Sequence, residues 1–448
     1  MNNLNNKTKM KSENSRRGFC KSTALVGAGL FLPGLEMSAM ANVFNDKKLK
    51  IAVVGCGGRG TGAANQALKA DENVELVAMA DAFQDQLDNS LLNLQKEFEG
   101  TKKVNVKDAH KYVGFDAYKK AIDQADVVIL ATPPGFRPYH FEYAIYAGKH
   151  VFMEKPVATD APGIRKVLEM AKIAKEKKLN VVVGLQRHYQ NNYIAIADKI
   201  KQGDVGKIVS GQVYWNSGGV WVRPRQAGQS ELEYQMRNWY YFNWLCGDHI
   251  LEQHIHNIDV ANWFIGEYPI SAQGMGGRLV RTGKDHGEIF DHHFVEFTYP
   301  SGAVIASQCR HQPGTWSKVG ENFQGTKGSI DMNDAGAASI TGFDGEKLFD
   351  YRNRNDPNPY QVEHDRLFAS IRNNEVISDT ENGAMSTMTA IMGRMATYSG
   401  KVITWEDAMA SEKLLMPSEL TWDSTPPSIP DANGNYSIPT PGVTDVLN

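Results

Sequence analysis

Cysteine is scarce in this 448-residue chain, and the four present, Cys20, Cys56, Cys246 and Cys309, lie far apart with no C-x-x-C spacing. Neither a disulfide framework nor a cysteine-ligated zinc site is expected from that pattern; burial as free thiols is the common fate of isolated cysteines. A charge excess is missing too. There are 48 Lys plus Arg against 51 Asp plus Glu, a formal net charge of −3, so nothing marks a nucleic-acid or anionic-membrane partner. No internal repeat is apparent. What is present is 42% hydrophobic and 22% charged residues over a length suited to two domains. This is the composition of a globular protein, and small polar substrates fit it better than a nucleic acid or an anionic membrane.

The first forty-one residues stand apart. Ser15-Arg16-Arg17-Gly18-Phe19-Cys20-Lys21 precedes an uncharged run from Ser22 to Leu35, and Ala39-Met40-Ala41 follows as a small-x-small cleavage site. The run is too short and too rich in Gly and Ala to cross a bilayer. The order of these features reads as a twin-arginine export signal removed after Ala41, against the alternative of a chance Arg pair in a disordered terminus. A periplasmic protein with no stable membrane span after cleavage is the expectation.

From Lys50 onward the apolar runs Ile51 to Val54, Val74 to Ala80, Val127 to Ala131 and Val151 to Met153 are separated by helix-like stretches. Such alternation predicts an α/β domain with a doubly wound parallel sheet. After Asp160, Pro162 near the start, Ile164, Val167, Leu168, Ala171 and Ala174 at helical spacing, and lysines at 175, 177 and 178 predict a helix. Val181 to Val183 supplies another strand, and the domain boundary is placed there: 48–180 for the first domain, 181–415 for the second. In the second, strand-like runs at Ile208 to Trp215, His292 to Tyr299, Ala303 to Gln308 and Gly328 to Met332 predict one broad, largely antiparallel sheet. Helices are expected at 248–264, 359–373 and 383–398. Residues 416–448, with five Pro between 426 and 441, are expected to form an irregular arm.

The first strand runs into Gly55-Cys56-Gly57-Gly58-Arg59-Gly60, which puts Gly55, Gly57 and Gly60 in G-x-G-x-x-G register before a helix-like segment. Glycines there allow the tight turn and let a pyrophosphate approach the backbone at a helix N-terminus. Asp81 closes the next strand, 21 residues beyond Gly60, where a carboxylate accepts hydrogen bonds from the adenosine ribose. It would repel a 2'-phosphate, and no Arg or Lys follows through Leu87, so NAD is preferred over NADP. Arg59 has a bland alternative, pairing with a nearby acid.

Two further stretches, Ala131-Thr132-Pro133-Pro134 and Glu154-Lys155-Pro156, each end a strand. Together with the glycine loop they resemble the glucose-fructose oxidoreductase, inositol dehydrogenase and rhizopine-catabolism (Gfo/Idh/MocA) family, over about Lys50 to Ser411. The resemblance implies an N-terminal Rossmann domain followed by a C-terminal α+β domain with a large open-faced, mostly antiparallel sheet, and nicotinamide at their junction. It also implies cofactor contacts from Thr132, Pro133, Glu154, Lys155 and Gln186, and a catalytic role for Lys155. Oxidising a secondary alcohol needs a base for the hydroxyl proton and a cation or donor beside the developing alkoxide, and a partly desolvated lysine can meet both needs. The segment Asp248 to Asp259, read as helix, puts Glu252 and His256 on one face. The family commonly has Asp-x-x-x-His-x-x-Asp here. By resemblance His256 takes the acid/base role, Glu252 stands where the family has Asp, and Asp259 joins the substrate site. Glu252 is assigned an orienting or substrate-binding role.

Gln186-Arg187 resembles the family segment that reaches the nicotinamide and substrate; ion pairing is the alternative for Arg187. Trp215, Trp221, Trp239 and Trp244 place half of the eight tryptophans in thirty residues, with Tyr240 and Tyr241 between them. Trp239 and Tyr241 are candidates for stacking on a sugar ring, although such rings also build cores. A metal is the competing reading for the histidines: His249, Glu252 and His256 with Asp291, His292 and His293 could hold a divalent ion. No H-E-x-x-H is present and none is assigned; His249 and His254 remain without a role.

The expectation is an NAD-dependent oxidoreductase acting on a sugar or glycoside secondary alcohol, with C3 a candidate position. Its NAD is expected to be tightly bound, loaded before export and recycled on a keto sugar. An NAD-dependent glycosidase working by transient oxidation, elimination and water addition is the alternative, and a non-catalytic sugar-binding protein the third. An open-faced sheet needs cover, which suggests a homodimer or homotetramer.

Overall fold

The computed structural model describes residues 47–448 apart from 354 and 418; the twin-arginine segment and its cleavage site lie outside the described residues. Six parallel strands form, all but β3 around short apolar runs: β1 Leu49–Val54, β2 Val74–Asp81, β3 Lys111–Val113, β4 Val127–Leu130, β5 His150–Met153 and β6 Val181–Val183. Their order is β3-β2-β1-β4-β5-β6, the doubly wound arrangement whose strand order reverses beside β1. Alternate residues of β1 feed two cores: Ile51 and Val53 join one, Ala52 and Val54 the other. Burial on both faces is why the strands read as continuous apolar runs. The helix Ala161–Glu176 begins as its sequence requires, with the Asp160 carboxylate accepting from the Gly163 amide at 2.8 Å. Because β6 pairs with β5, the first sheet extends past the boundary placed at 180.

The second sheet has nine strands: β7 Ile208–Ser217, β8 Ser271–Gly277, β9 His292–Thr298, β10 Val304–His311, β11 Lys318–Gly325, β12 Gly328–Asn333, β13 Ala337–Gly342, β14 Lys347–Arg352 and β15 Ile403–Thr404. The order is β14-β13-β12-β11-β7-β10-β9-β8-β15, antiparallel throughout except between β7 and β10. In β9, His293, Val295 and Phe297 are buried while the residues between them are half-buried, so one face is packed and the other more open. Strand β8 is absent from the sequence reading because its glycines serve close approach: a Cβ at Gly274 would stand 2.4 Å from the Phe294 carbonyl oxygen.

The two sheets share a spine. The helix Thr380–Ser399, longer at both ends than the expected 383–398, is buried along nearly its whole length. Gly383 brings it against Val183 of β6 and Gly393 against Phe297 of β9. Pro359–Asn373 is helical as expected. Among the described residues beyond Ala410 there is no helix or strand, but Met416, Tyr436 and Val446 are buried and fasten the segment down. No helix among the described residues is long and apolar enough to cross a membrane.

Candidate active site

At the carboxyl end of β1 the chain enters the glycine loop, and its glycines do two different jobs. Gly55 has φ +93°, and a Cβ there would lie 2.5 Å from the Thr132 amide nitrogen; one at Gly60 would lie 1.8 Å from the Gly55 oxygen. Both positions are closed by backbone. Gly57 and Gly58 are the reverse, since a Cβ would meet nothing within 4 Å. They border a cavity of about 430 Å³ that is also lined by Arg59, Asp81, Thr132 and Pro133. Gly57 is the N-cap of the helix Gly58–Ala70 and offers no side-chain cap, leaving amides at a helix N-terminus for an anionic group. This open cradle beside a carboxylate fits a dinucleotide.

Asp81 accepts from the Cys56 amide at 2.7 Å and the Phe83 amide at 2.9 Å. Burial raises its carboxyl above the ordinary value despite those donors. Thr132 Oγ1 lies 3.2 Å from His140 Nδ1, and burial pushes that imidazole down to about 3, keeping it neutral. Arg59 does pair with an acid: its Nε is 2.6 Å from Glu154 Oε1, tying the glycine loop to the Glu-Lys-Pro segment. Gln186 is buried with its amide oxygen unpartnered among the described residues.

Lys155, 13% exposed, reaches across to the second domain. Its Nζ donates to the Glu252 backbone oxygen at 2.6 Å and lies 3.3 Å from Glu252 Oε1. The expected helix 248–264 is in fact broken, and the break provides this acceptor. The helices are His249–Glu252 and Ile255–Ile265; the His254 amide bonds back five residues to His249, and the His256 amide turns to Gln253. In an unbroken helix the His256 amide would occupy the Glu252 carbonyl; here that carbonyl is free for Lys155. Glu252 and His256 are therefore not one helical turn apart. His256 is buried, its ring stacks on Trp215 with centroids 5.9 Å apart, and its Nδ1 has no partner among the described residues. Burial, then the charge of Lys155, pushes its imidazole well below the usual value, so it is neutral.

The other assigned residues divide. Trp239 lines the cavity with Glu252, Trp221, Tyr240 and Gln253. Arg187 does not line it. The guanidinium is fully buried in an ion pair with Glu321 and lies over the Tyr193 ring. A charge removed from water needs such a partner, so ion pairing is what the geometry displays. Asp259 is likewise buried, accepting from Asn382 at 3.0 Å and Ser386 at 2.8 Å and facing His188 Nε2 at 2.8 Å. The Tyr241 hydroxyl donates to the Trp221 carbonyl at 2.8 Å. His254 faces Ser307 Oγ at 2.7 Å. Of the metal reading, His249 and His293 converge, together with Asp248, which that reading did not include; among the described residues this is the one such group, its ligand atoms within 4.8 Å of one another. His292 pairs with Asp291 at 2.7 Å, and Glu252 and His256 stand apart from that group. Gln253 was not foreseen. It lies in the helix break, with its Oε1 held 2.7 Å from His311 Nε2.

Two family models match this chain. One, described as an oxidoreductase family with an NAD-binding Rossmann fold, covers residues 49–185; the other, the GFO/IDH/MocA C-terminal domain, covers 193–331. The chain belongs to the Gfo/Idh/MocA oxidoreductase family. It is 30% identical over 223 residues to a 2,7-anhydro-N-acetylneuraminate hydratase of Escherichia coli, a match spanning 48% of this chain and only 55% of that protein. With an inositol 2-dehydrogenase of Rhizobium meliloti it shares 23% identity over 280 residues, 61% of this chain and 78% of the relative. Among solved structures, levoglucosan dehydrogenase in complex with NADH and levoglucosan superposes with a TM-score of 0.63 at 16% identity, covering 80% of this chain and 99% of that one. The Rossmann domain with its neighbouring mixed sheet is thus the Gfo/Idh/MocA fold, and NAD is the cofactor class of its first domain.

Proposed function

We propose that the protein oxidises a secondary hydroxyl of a sugar or glycoside, C3 being the position to test first, and returns the hydride to a keto sugar. The observation that carries this reading is the meeting of the Lys155 ammonium with Glu252 on the wall of the cavity that the glycine loop opens into. NAD bound along Gly57, Gly58 and Asp81 supplies the hydride acceptor. Lys155 holds the reacting hydroxyl and compensates the charge left on its oxygen as the proton departs. His256, neutral in its buried site, takes up that proton. Glu252 orients Lys155 and accepts from a neighbouring substrate hydroxyl, and Trp239 offers a flat face to the ring.

The export reading carries a chemical consequence. A twin-arginine substrate leaves the cytoplasm folded, and free dinucleotide is scarce outside; NAD is then loaded before export and stays bound, and a second substrate must take back the hydride. Support for this rests on the sequence of residues 15–41. The more open face of the second sheet, with Met275 and Trp316 exposed on its strand β8 and next to β11, supports a homodimer or homotetramer; a monomer mass independent of concentration would reject it.

A second reading is favoured by the likeness to a hydratase: transient oxidation acidifies the neighbouring C–H, a leaving group is eliminated, water adds and the ketone is reduced, cleaving a glycoside with no net oxidation. One experiment separates the two. Mature protein from residue 42 is purified, its dinucleotide released and identified, and the intact protein incubated with glycosides with and without a keto-sugar acceptor. Acceptor-dependent keto glycoside supports the dehydrogenase, and free sugar without acceptor supports glycoside cleavage. Absence of dinucleotide overturns the retained-cofactor argument.

A further inference from the structure

We propose that residues outside the dinucleotide-binding domain form an adenine-binding clasp over the cofactor crevice; the inference rests on the NAD reading above. Asp81 at the end of β2 fixes where the adenosine ribose lies. Two aromatic rings near it, Phe83 and Phe115, line the same cavity. Trp422, in the irregular tail, packs on both, with ring centroids 5.3 Å from Phe83 and 4.7 Å from Phe115. Arg237 also lines the cavity. It ends the helix Glu231–Arg237 of the second domain, places its guanidinium 4.0 Å from the Phe83 ring centroid and pairs with Asp85 at 3.1 Å.

The tail and this helix are tied to each other as well. Gln235 Nε2 donates to the Ser428 carbonyl at 2.6 Å, and the Tyr436 hydroxyl donates to the Glu231 carboxylate at 2.5 Å. Three stretches remote in sequence therefore meet at one corner of the cavity, with Phe83, Phe115 and Arg237 on its wall and Trp422 packed on the two phenylalanine rings, and the tail is hydrogen-bonded to the helix. A flat purine is the ligand such a corner takes: two π faces and a guanidinium plane are the surfaces on which a base stacks without regard to its hydrogen-bonding edge. Adenine seated there leaves only when the tail and the helix part from Phe83, Phe115 and Asp85. The clasp gives the chain its own means of retaining the cofactor.

The test is exchange of bound NAD against isotope-labelled NAD in the intact protein. Wild type is compared with Trp422→Ala, Trp422→Phe and Arg237→Gln, and with Val443→Ala as an exposed control on the same tail. Losing two ring contacts corresponds to exchange about tenfold faster for Trp422→Ala. Trp422→Phe should stay near wild type, Arg237→Gln should speed exchange to a similar extent, and Val443→Ala should change nothing. Thermal melting reports whether each variant folds; should Trp422→Ala not fold, Arg237→Gln decides alone. Exchange in both Trp422→Ala and Arg237→Gln that matches wild type overturns the clasp. Exchange complete within seconds in wild type overturns the retained-cofactor reading instead, while the ratio of variant to wild type still reports on the clasp.

Discussion

Replacing Gly57 and Gly60 one at a time by alanine separates the cofactor cradle from the fold that supports it. At Gly57 the backbone is extended at φ −68° and ψ −175°, which alanine adopts without strain, and an added methyl meets no protein atom within 4 Å. Stability should change by no more than about 1 kcal/mol, the ordinary scale of an N-cap exchange. The methyl instead occupies the space through which a pyrophosphate oxygen approaches the helix amides. Losing one charge-assisted hydrogen bond of about 1.5–3 kcal/mol weakens NAD binding by about 10- to 150-fold. At Gly60 the methyl would stand 1.8 Å from the Gly55 oxygen, forcing the helix off β1 at an overpacking cost of about 1–3 kcal/mol or more, so melting temperature and affinity fall together. Titration of the apo-protein with NAD, beside thermal melting, gives both numbers. If Gly57→Ala binds NAD as wild type does, the open space beside Gly57 is not where the dinucleotide lies, and the placement of the site is refuted.

Three further outcomes are expected. Lys155→Met should lower turnover by about 10²–10⁴-fold with NAD still bound, whereas Glu252→Gln should mainly raise KM; steady-state kinetics on the substrate identified above checks both, and near-normal turnover of Lys155→Met removes its assigned role. Acid should destabilise the chain: burial pushes His140 and His254 down to about 3 and holds His256, His311 and His364 well below the usual range. The unfolded chain takes up protons at these positions below about pH 6.5 while the folded chain does not, so stability is present above that pH and falls by about 1.4 kcal/mol per histidine per pH unit beneath it. A melting temperature that stays level between about pH 6.5 and pH 5 contradicts this.

The first domain was legible because a strand segment buried on both faces must be apolar, and Ile51 to Val54 of β1, the whole of β4 and Val151 to Met153 of β5 are. Much of the second sheet was hidden for the converse reason. Lys318–Gly325 carries a buried glutamate, Glu321, that is tolerable because Arg187, 134 positions earlier, pairs with it and Asn257 and Tyr193 donate to it. No local pattern announces such a strand. The same pair explains why Arg187 reads from sequence as a reaching cationic residue and is found as a buried one. Lys155 was singled out because the Glu-Lys-Pro motif carried it, and Glu252 because it stands where the family has Asp; the structure brings the two together. The break between Gln253 and Ile255 was not, since periodic apolar residues continue across it and tertiary contacts, such as His254 on Ser307 and Gln253 on His311, decide where the helix parts.

That break also separates two requirements that most sites leave entangled. The shorter of the two bonds holding Lys155 goes to a main-chain oxygen, which every residue type at position 252 would provide. On the proposed function, side chains there can be exchanged to suit a different substrate while the ammonium keeps its anchor, and position 252 is where substrate preference can be redesigned with the least risk to the chemistry assigned to Lys155.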